Sequence, residues 1–126
     1  MTKTRVLIID DDKAIRGLIS LLITSMGHDV VGEAPNGAEG VELFKSTQPD
    51  LVLLDIEMPV MDGLEALKII MKIDETAHIA ILTAVDHIMI HEDAHTSGAK
   101  CYIRKDTKPE ALKARLLEEI TKVSTG

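Results

Sequence analysis

The chain alternates short apolar runs with longer segments in which apolar residues recur at helical spacing. Residues 6–9 and 51–54 are continuous aliphatic runs without polar alternation, which is typical of strands covered on both faces. Residues 12–26 place apolar side chains three and four positions apart, as one face of a helix requires. Gly27 follows this segment, where a left-handed helix cap is expected.

The same pattern predicts five strand-helix units. The predicted strands cover residues 6–9, 29–34, 51–54, 79–82 and 101–103, and the predicted helices cover residues 12–26, 38–46, 64–73, 86–97 and 109–123. Such an alternation implies right-handed crossovers and a parallel sheet with helices on both faces. We therefore predict an α/β fold, a doubly wound five-stranded parallel sheet with five helices. We expect residues 1–126 to form one domain, ordered over about residues 4–123.

Composition limits the classes of function. A length of 126 residues suits one domain, and 45% hydrophobic residues with 2% aromatic residues predict an aliphatic core. A net charge of −7 argues against a nucleic-acid surface, and no apolar run reaches the length of a membrane span. Cys101 is the single cysteine, expected as a small buried hydrophobe in a reducing compartment. We expect a cytoplasmic protein with neither a nucleic-acid nor a membrane partner.

Polar side chains follow the ends of the predicted strands. In doubly wound sheets ligands bind at these carboxyl ends, where the strand order reverses. The residues concerned are Asp10, Asp11 and Asp12 after the first strand, Asp55 after the third, Thr83 after the fourth, and Arg104 and Lys105 after the fifth. A turn with a helix N-cap is an alternative for the three consecutive acids, and it explains Asp12 well.

Carboxylates gathered at one edge of a sheet repel each other unless a cation joins them. Oxygen ligands suit Mg²⁺, which commonly binds one or two carboxylates together with a phosphate oxygen. A lysine and a hydroxyl group nearby would hold the other phosphate oxygens, so the set suits phosphoryl transfer. One of the carboxylates could itself be the acceptor.

Four segments in order, IIDDDKAIR, LVLLDIEMPVMDG, AILTA and CYIRK, resemble the receiver domains of response regulators in two-component signalling. The resemblance covers essentially the whole chain and implies the flavodoxin- and CheY-like (β/α)5 fold. It implies a signalling switch, not an enzyme that turns over an external substrate, in which a sensor histidine kinase or phosphotransfer protein phosphorylates an aspartate with Mg²⁺ as cofactor. The surface formed by the fourth predicted helix, the fifth predicted strand and the fifth predicted helix would then control a downstream effector protein.

The resemblance also implies a role for each matching residue. Asp55 would be the phosphoacceptor, and the metal ligands would be Asp11, Asp10 through water, Asp55 and the backbone carbonyl of Glu57. Thr83, Ala84 and Lys105 would bind the phosphoryl group, and Tyr102 would be the switching aromatic, or else simply an aromatic on an edge strand.

This chain departs from the pattern after Lys105. The family usually has a proline there, preceded by a cis peptide bond, whereas this chain has Asp106. A cis bond before a non-proline residue costs roughly 3–4 kcal/mol, so we expect a trans bond. Asp106 could cap the last helix or compete for Lys105.

Three histidines, His87, His91 and His95, share one face of the predicted fourth helix. They are interpreted as a polar outer face; a metal or pH-sensing role is the alternative. If His91 and His95 lie on the partner surface, they would act as contact residues.

Other functions remain open at this point. A small phosphatase of the haloacid-dehalogenase type also uses an aspartate and Mg²⁺, but its motif follows the first strand. A flavodoxin-like electron carrier would lack an aromatic residue to stack on the flavin. Within the receiver interpretation, the chain is either a stand-alone regulator, which we favour, or the N-terminal receiver fragment of a longer regulator with an effector domain. Phosphorylation could also drive homodimerisation.

Overall fold

Five strands and five helices alternate along the computed structural model, which describes residues 3–56, 58, 61–84 and 88–125, with the backbone alone at 88–91, 124 and 125. The elements are β1 (Arg5–Ile9), α1 (Lys13–Ser25), β2 (Asp29–Ala34), α2 (Gly37–Thr47), β3 (Leu51–Asp55), α3 (Gly63–Ile73), β4 (Ile79–Thr83), α4 (Ile88–Thr96), β5 (Cys101–Arg104) and α5 (Pro109–Thr125). The predicted bounds agree to within two residues where both are described. The predicted start of α4 at residues 86 and 87 lies outside the described residues.

The strands form a parallel sheet in the order β2-β1-β3-β4-β5. This is the predicted doubly wound arrangement. The strand order reverses beside β1, between the connections to β2 and to β3, so a crevice opens at the carboxyl ends of β1 and β3.

Alternate residues of the strands face two separate layers of helices, because successive side chains of a strand point to opposite faces. In β1, Leu7 and Ile9 pack with residues of α2, α3 and α4, whereas Val6 and Ile8 pack with residues of α1 and α5. All four side chains are completely buried. Both cores are almost wholly aliphatic, with Phe44 the aromatic residue among the buried side chains described, as the composition predicts.

The ends of α1 follow the sequence signals. The carboxylate of Asp12 accepts hydrogen bonds from the backbone N–H groups of Ala14 and Ile15, so Asp12 is the N-cap. Gly27 follows the helix with a φ of 85°, in the left-handed region that favours glycine. No helix in the described part of the chain is both long enough and apolar enough to cross a membrane.

A buried ionic cluster links α5 to His78, the residue that directly precedes β4. Glu119 is 1% exposed, and its carboxylate lies 2.8 Å from His78 Nε2, 3.2 Å from Arg115 Nη1 and 3.4 Å from Lys122 Nζ. Burial opposes ionisation of Glu119, but hydrogen bonds from His78, Cys101 and Arg115 and the charge of Lys122 outweigh it and lower its pKa to about 2.

Cys101 is half-buried beside this cluster, whereas the sequence predicted a buried residue. Burial, followed by the hydrogen bond and charge of Glu119, raises the pKa of its thiol to about 12. The thiol is therefore protonated at neutral pH.

Replacing Glu119 should destabilise the fold in a pH-dependent way. Because its pKa is lowered from 4.5 in the folded state, its contribution is complete above about pH 5 and is lost as the pH falls toward 2. Glu119→Gln should lower the free energy of unfolding by about 2 kcal/mol at pH 7 and by almost nothing near pH 2. Urea titration followed by circular dichroism measures this. Glu118→Gln is the control, because Glu118 is 60% exposed and contacts the same cations at 3.8–3.9 Å; an equal loss there would contradict the prediction.

Gly63 begins α3 directly against the end of β3. A Cβ atom at this position would lie 2.1 Å from the backbone oxygen of Asp55 and 2.5 Å from Ile56 Cα. Gly63→Ala should therefore displace backbone and destabilise the fold by about 2 kcal/mol or more. Gly17→Ala is the matched control, because nothing lies within 4 Å of the added methyl group in the exposed interior of α1. That change should stabilise the fold by about 0.5–1 kcal/mol. Thermal unfolding measures both variants, and a Gly63→Ala protein as stable as the wild type, or a destabilised Gly17→Ala protein, would contradict the prediction.

Candidate functional site

Four strands deliver polar residues to one cleft at the carboxyl edge of the sheet. The cleft has a volume of about 350 Å³ and is lined by Asp11, Asp12, Asp55, Ile56, Thr83, Ala84 and Lys105. Asp10 follows β1 directly, while Asp55 and Thr83 are the last residues of β3 and β4. The cleft thus occupies the crevice beside β1 at which the strand order reverses.

Three carboxylates meet in this cleft. Asp10, Asp11 and Asp55 each offer an oxygen, and these oxygens all lie within 4.8 Å of one another. Asp10 is completely buried and Asp55 is 2% exposed, whereas Asp11 is exposed. Asp12 caps α1, so the N-cap interpretation is correct for that residue and does not extend to its two neighbours.

Backbone contacts fix Asp10 in place. Its Oδ1 accepts a hydrogen bond of 2.8 Å from the N–H of Asp12, and its own N–H donates to the carbonyl oxygen of Ala34 at 3.0 Å. The guanidinium of Arg16 donates to the carbonyl oxygen of Asp10 at 2.7 Å and lies 3.7 Å from Glu33. Arg16 was not predicted from the sequence as a residue of the site. Its only signal was a basic residue at the flank of the apolar stripe of α1.

Lys105 brings a positive charge between the two buried acids. Its Nζ donates to Asp10 Oδ2 at 2.9 Å and lies 3.2 Å from Asp55 Oδ2. Burial alone would lower the pKa of Lys105, but the hydrogen bonds and charges of Asp10 and Asp55 outweigh it and raise the pKa. The lysine is therefore cationic at neutral pH.

Asp55 is costly to ionise in this environment. Burial, and then the charge of Asp10, raise its pKa to about 7, although Lys105 opposes both. With all groups ionised, three carboxylates and one ammonium leave a net formal charge of −2. A set of oxygen ligands with this excess charge fits a divalent cation such as Mg²⁺.

The other predicted phosphoryl-binding and switch residues lie in two places. Thr83 is buried and lines the cleft, Ala84 lines it and is exposed, and the N–H of Lys105 donates to the carbonyl oxygen of Thr83 at 3.0 Å. Tyr102 does not line the cleft; it is half-buried and packs against the core formed with α2, α3 and α4. Burial raises the pKa of its hydroxyl group.

Asp106 does not play either of the roles suggested by the sequence. The Lys105–Asp106 peptide bond is trans, as expected. The carboxylate of Asp106 binds Arg104, at 3.0 Å to Nε and 2.7 Å to Nη2, and not Lys105. α5 begins three residues later, at Pro109, so Asp106 is not its N-cap. Arg104 itself is the last residue of β5, pairing with Thr83, and does not follow the strand.

Three predicted groups cannot be compared with the structure. The backbone carbonyl of Glu57 and the side chains of His87 and His91 lie outside the described residues. His95 is described, and its side chain is exposed in the last turn of α4.

The site therefore consists of buried acids paired with a lysine at the switch point of a parallel α/β sheet. Comparison with known proteins identifies the family to which a chain with this fold and site belongs. The model of the response regulator receiver domain matches residues 6–117. The chemotaxis protein CheY of Thermotoga maritima is 42% identical over 120 residues, covering 95% of this chain and 97% of that protein. This chain belongs to the response regulator receiver domain family, whose members are switches of two-component signalling.

Solved structures agree with this assignment. The response regulator domain of Thermotoga maritima CheB superposes with a TM-score of 0.89 at 31% identity, covering 99% of this chain and 98% of that one. A chain of the CheX–CheY–BeF₃–Mg²⁺ complex of Borrelia burgdorferi superposes with a TM-score of 0.87 at 31% identity, covering 95% of this chain and 88% of that one. The haloacid-dehalogenase and flavodoxin alternatives are therefore not favoured.

Removing the charge of Asp55 should stabilise the protein in the absence of divalent cations. Its carboxyl has a pKa of about 7 in the folded chain against 3.8 in the unfolded chain, so its ionisation weakens the fold progressively from about pH 4 to pH 7. Asp55→Asn should raise the free energy of unfolding by about 2 kcal/mol at pH 8, since Lys105 keeps Asp10 as a partner. Mg²⁺ should then stabilise the wild type more than the variant. The exposed Asp93→Asn is the control, and a destabilised Asp55→Asn protein at pH 8 would contradict the expectation.

Proposed function

We propose that this protein is a Mg²⁺-dependent phosphorylation switch in which Asp55 accepts a phosphoryl group from a sensor histidine kinase or a phosphotransfer protein. One observation carries the proposal. The buried Asp55 carboxylate lies within reach of two further carboxylates and within 3.2 Å of a lysine ammonium, in a cleft that is open to solvent. These groups are the acceptor, the cation ligands and the phosphate partner of a phosphoryl-transfer site.

The acidic cluster supports a place for the metal. Asp11 and Asp55 would bind Mg²⁺ directly, Asp10 would bind it through water, and the backbone carbonyl of Glu57 would complete the set. When bound, Mg²⁺ supplies positive charge to the acceptor carboxylate and to the incoming phosphoryl oxygens. The Borrelia burgdorferi relative, whose complex contains BeF₃ and Mg²⁺, is consistent with this cofactor.

The reaction we propose is a phosphoryl transfer without a net redox change. The P–N bond of a phosphohistidine breaks as a P–O bond forms to a carboxylate oxygen of Asp55, and the histidine takes up a proton. Lys105 would contact one phosphoryl oxygen, and the hydroxyl group of Thr83 and the backbone N–H of Ala84 would donate hydrogen bonds to the others. Apart from this transfer, the chemistry of the protein would be limited to autophosphorylation and autodephosphorylation of Asp55.

The output of the switch is proposed to be the α4–β5–α5 surface. Phosphorylation adds about −2 charge beside Thr83 and Lys105, so the loops that follow β4 and β5 gain new partners. The half-buried position of Tyr102 on β5 suits an aromatic that moves with the Thr83 loop. His91 and His95 on α4 would then contact a downstream effector protein or a second phosphorylated copy.

We also propose that residues 1–126 act as one receiver domain in the cytoplasm. Near-complete mutual coverage with the Thermotoga maritima CheY supports a module of this size acting by protein contact. A receiver that belongs to a longer regulator is the remaining alternative. The proposal includes no binding of nucleic acid or membrane by these residues.

Incubation with acetyl phosphate and Mg²⁺ tests the central claim. Intact mass spectrometry should show an increase of about 80 Da on the wild type, the mass of one phosphoryl group. Asp55→Asn and a Mg²⁺-free sample should show none, and Lys105→Ala should be labelled at least about tenfold more slowly because it loses the phosphate partner. Asp50→Asn is the control. If the wild type stayed unlabelled while another receiver domain was labelled in parallel, the proposed phosphoacceptor would be wrong.

A further inference from the structure

The two residues that flank Lys105 are joined to each other across it. Arg104 donates from Nε to Asp106 Oδ1 at 3.0 Å and from Nη2 to Asp106 Oδ2 at 2.7 Å, so the ion pair is bidentate. Both side chains are 43% exposed, whereas the side chain of Lys105 between them is 12% exposed and reaches Asp10 and Asp55. The backbone of Lys105 is thus held from the solvent side while its ammonium enters the cleft.

The same arginine connects two loops. Its Nη2 also lies 3.5 Å from the carbonyl oxygen of Ala84, at the rim of the cleft, and its backbone is paired with Thr83 at the end of β4. The hydroxyl group of Thr107 donates to the carbonyl oxygen of Arg104 at 3.2 Å and closes the turn after β5. Displacement of Arg104 would therefore loosen both the loop after β4 and the loop that carries Lys105.

Asp106 makes this arrangement necessary. It is an acid one residue away from the functional ammonium, and a free carboxylate there would compete with Asp10 and Asp55 for Lys105. Arg104 engages both oxygens of Asp106, and a bidentate guanidinium–carboxylate pair has a defined geometry that a single contact lacks. The pair thus restrains the turn and neutralises a competing charge.

We propose that Arg104 and Asp106 are positioning residues, whose ion pair across Lys105 keeps the lysine ammonium between Asp10 and Asp55 and ties the loop after β5 to the loop after β4. The consequence for phosphoryl transfer rests on the function proposed above, but the consequence for the position of Lys105 does not. Because an exposed pair contributes little to global stability, its effect should appear in local geometry more than in unfolding.

Lysine labelling tests the position of Lys105 independently of phosphorylation. The folded protein is treated briefly with acetic anhydride, and the modification of Lys105 relative to the exposed Lys68 is measured by peptide mass spectrometry. Arg104→Ala and Asp106→Asn should each raise this ratio about two- to fivefold, the range expected from losing one exposed ion pair. Lys45→Ala, which removes the exposed Lys45–Glu42 pair of α2, should leave it unchanged.

The double variant shows whether the two residues act together. If they act as a pair, Arg104→Ala with Asp106→Asn should be no more reactive than Arg104→Ala alone, whereas independent effects would multiply. Circular dichroism shows whether each variant is folded, and Asp106→Asn decides the question if Arg104→Ala does not fold. Labelling ratios equal to that of Lys45→Ala, or multiplicative effects, would overturn the proposal.

The rate of phosphorylation by acetyl phosphate is the second readout. At saturating Mg²⁺, both single variants should have a maximal rate about two- to fivefold lower, because Lys105 is less often in position to contact the phosphoryl group. Altered labelling of Lys105 in a protein that is never phosphorylated would contradict the proposed function and leave the positioning role supported. Labelling of Lys105 and phosphorylation rates that are both equal to those of the wild type would overturn the positioning role and leave the proposed function unaffected.

Discussion

The structure depends on the placement of one ammonium group between two buried carboxylates. Asp10 and Asp55 lie at the ends of adjacent strands with almost no exposure to water, and their mutual repulsion would oppose folding if Lys105 did not lie within 3.2 Å of both. Only a parallel sheet in which β1, β3 and β5 end at the same edge brings these three groups together. The compensation is incomplete, since the pKa of Asp55 is still raised to about 7. This residual cost is what a divalent cation would relieve.

The rest of the fold serves to hold that edge rigid. Two aliphatic cores clamp the sheet from both faces, and the contacts of Asp12 and Arg16 fix the chain around Asp10. A second ionic cluster, centred on Glu119, fastens α5 to the sheet beside β5. The two clusters differ in their effect on the buried acid. Glu119 has enough partners to lower its pKa to about 2, whereas Asp55 does not. The first arrangement suits structural support, and the second suits reaction with a ligand.

The sequence predicted the elements well because hydrophobic periodicity is a local property. All five strands and the helices on both faces follow from it. The N-cap at Asp12 and the left-handed Gly27 follow from a second local signal, the residue types that helix ends prefer. The location of the candidate site was equally predictable, since the topology of a doubly wound sheet places the carboxyl ends of its parallel strands at the same edge. The contacts of Arg16, Glu119 and Asp106 were not predictable in this way. Each depends on which carbonyl oxygen or oppositely charged group the fold brings near, at separations in sequence from 2 to 41 residues.

By itself, then, the sequence determined the alternation of strands and helices, the edge at which the acids collect, and the family whose motifs they match. The tertiary structure decided how the charges are shared. It assigned Lys105 to both Asp10 and Asp55, and it turned Asp106 toward Arg104 and away from the lysine. The physical reason is that apolar burial is encoded by a repeating pattern along the chain. The partner of a charged side chain is set by distances of a few ångströms, which exist only after the strands have assembled.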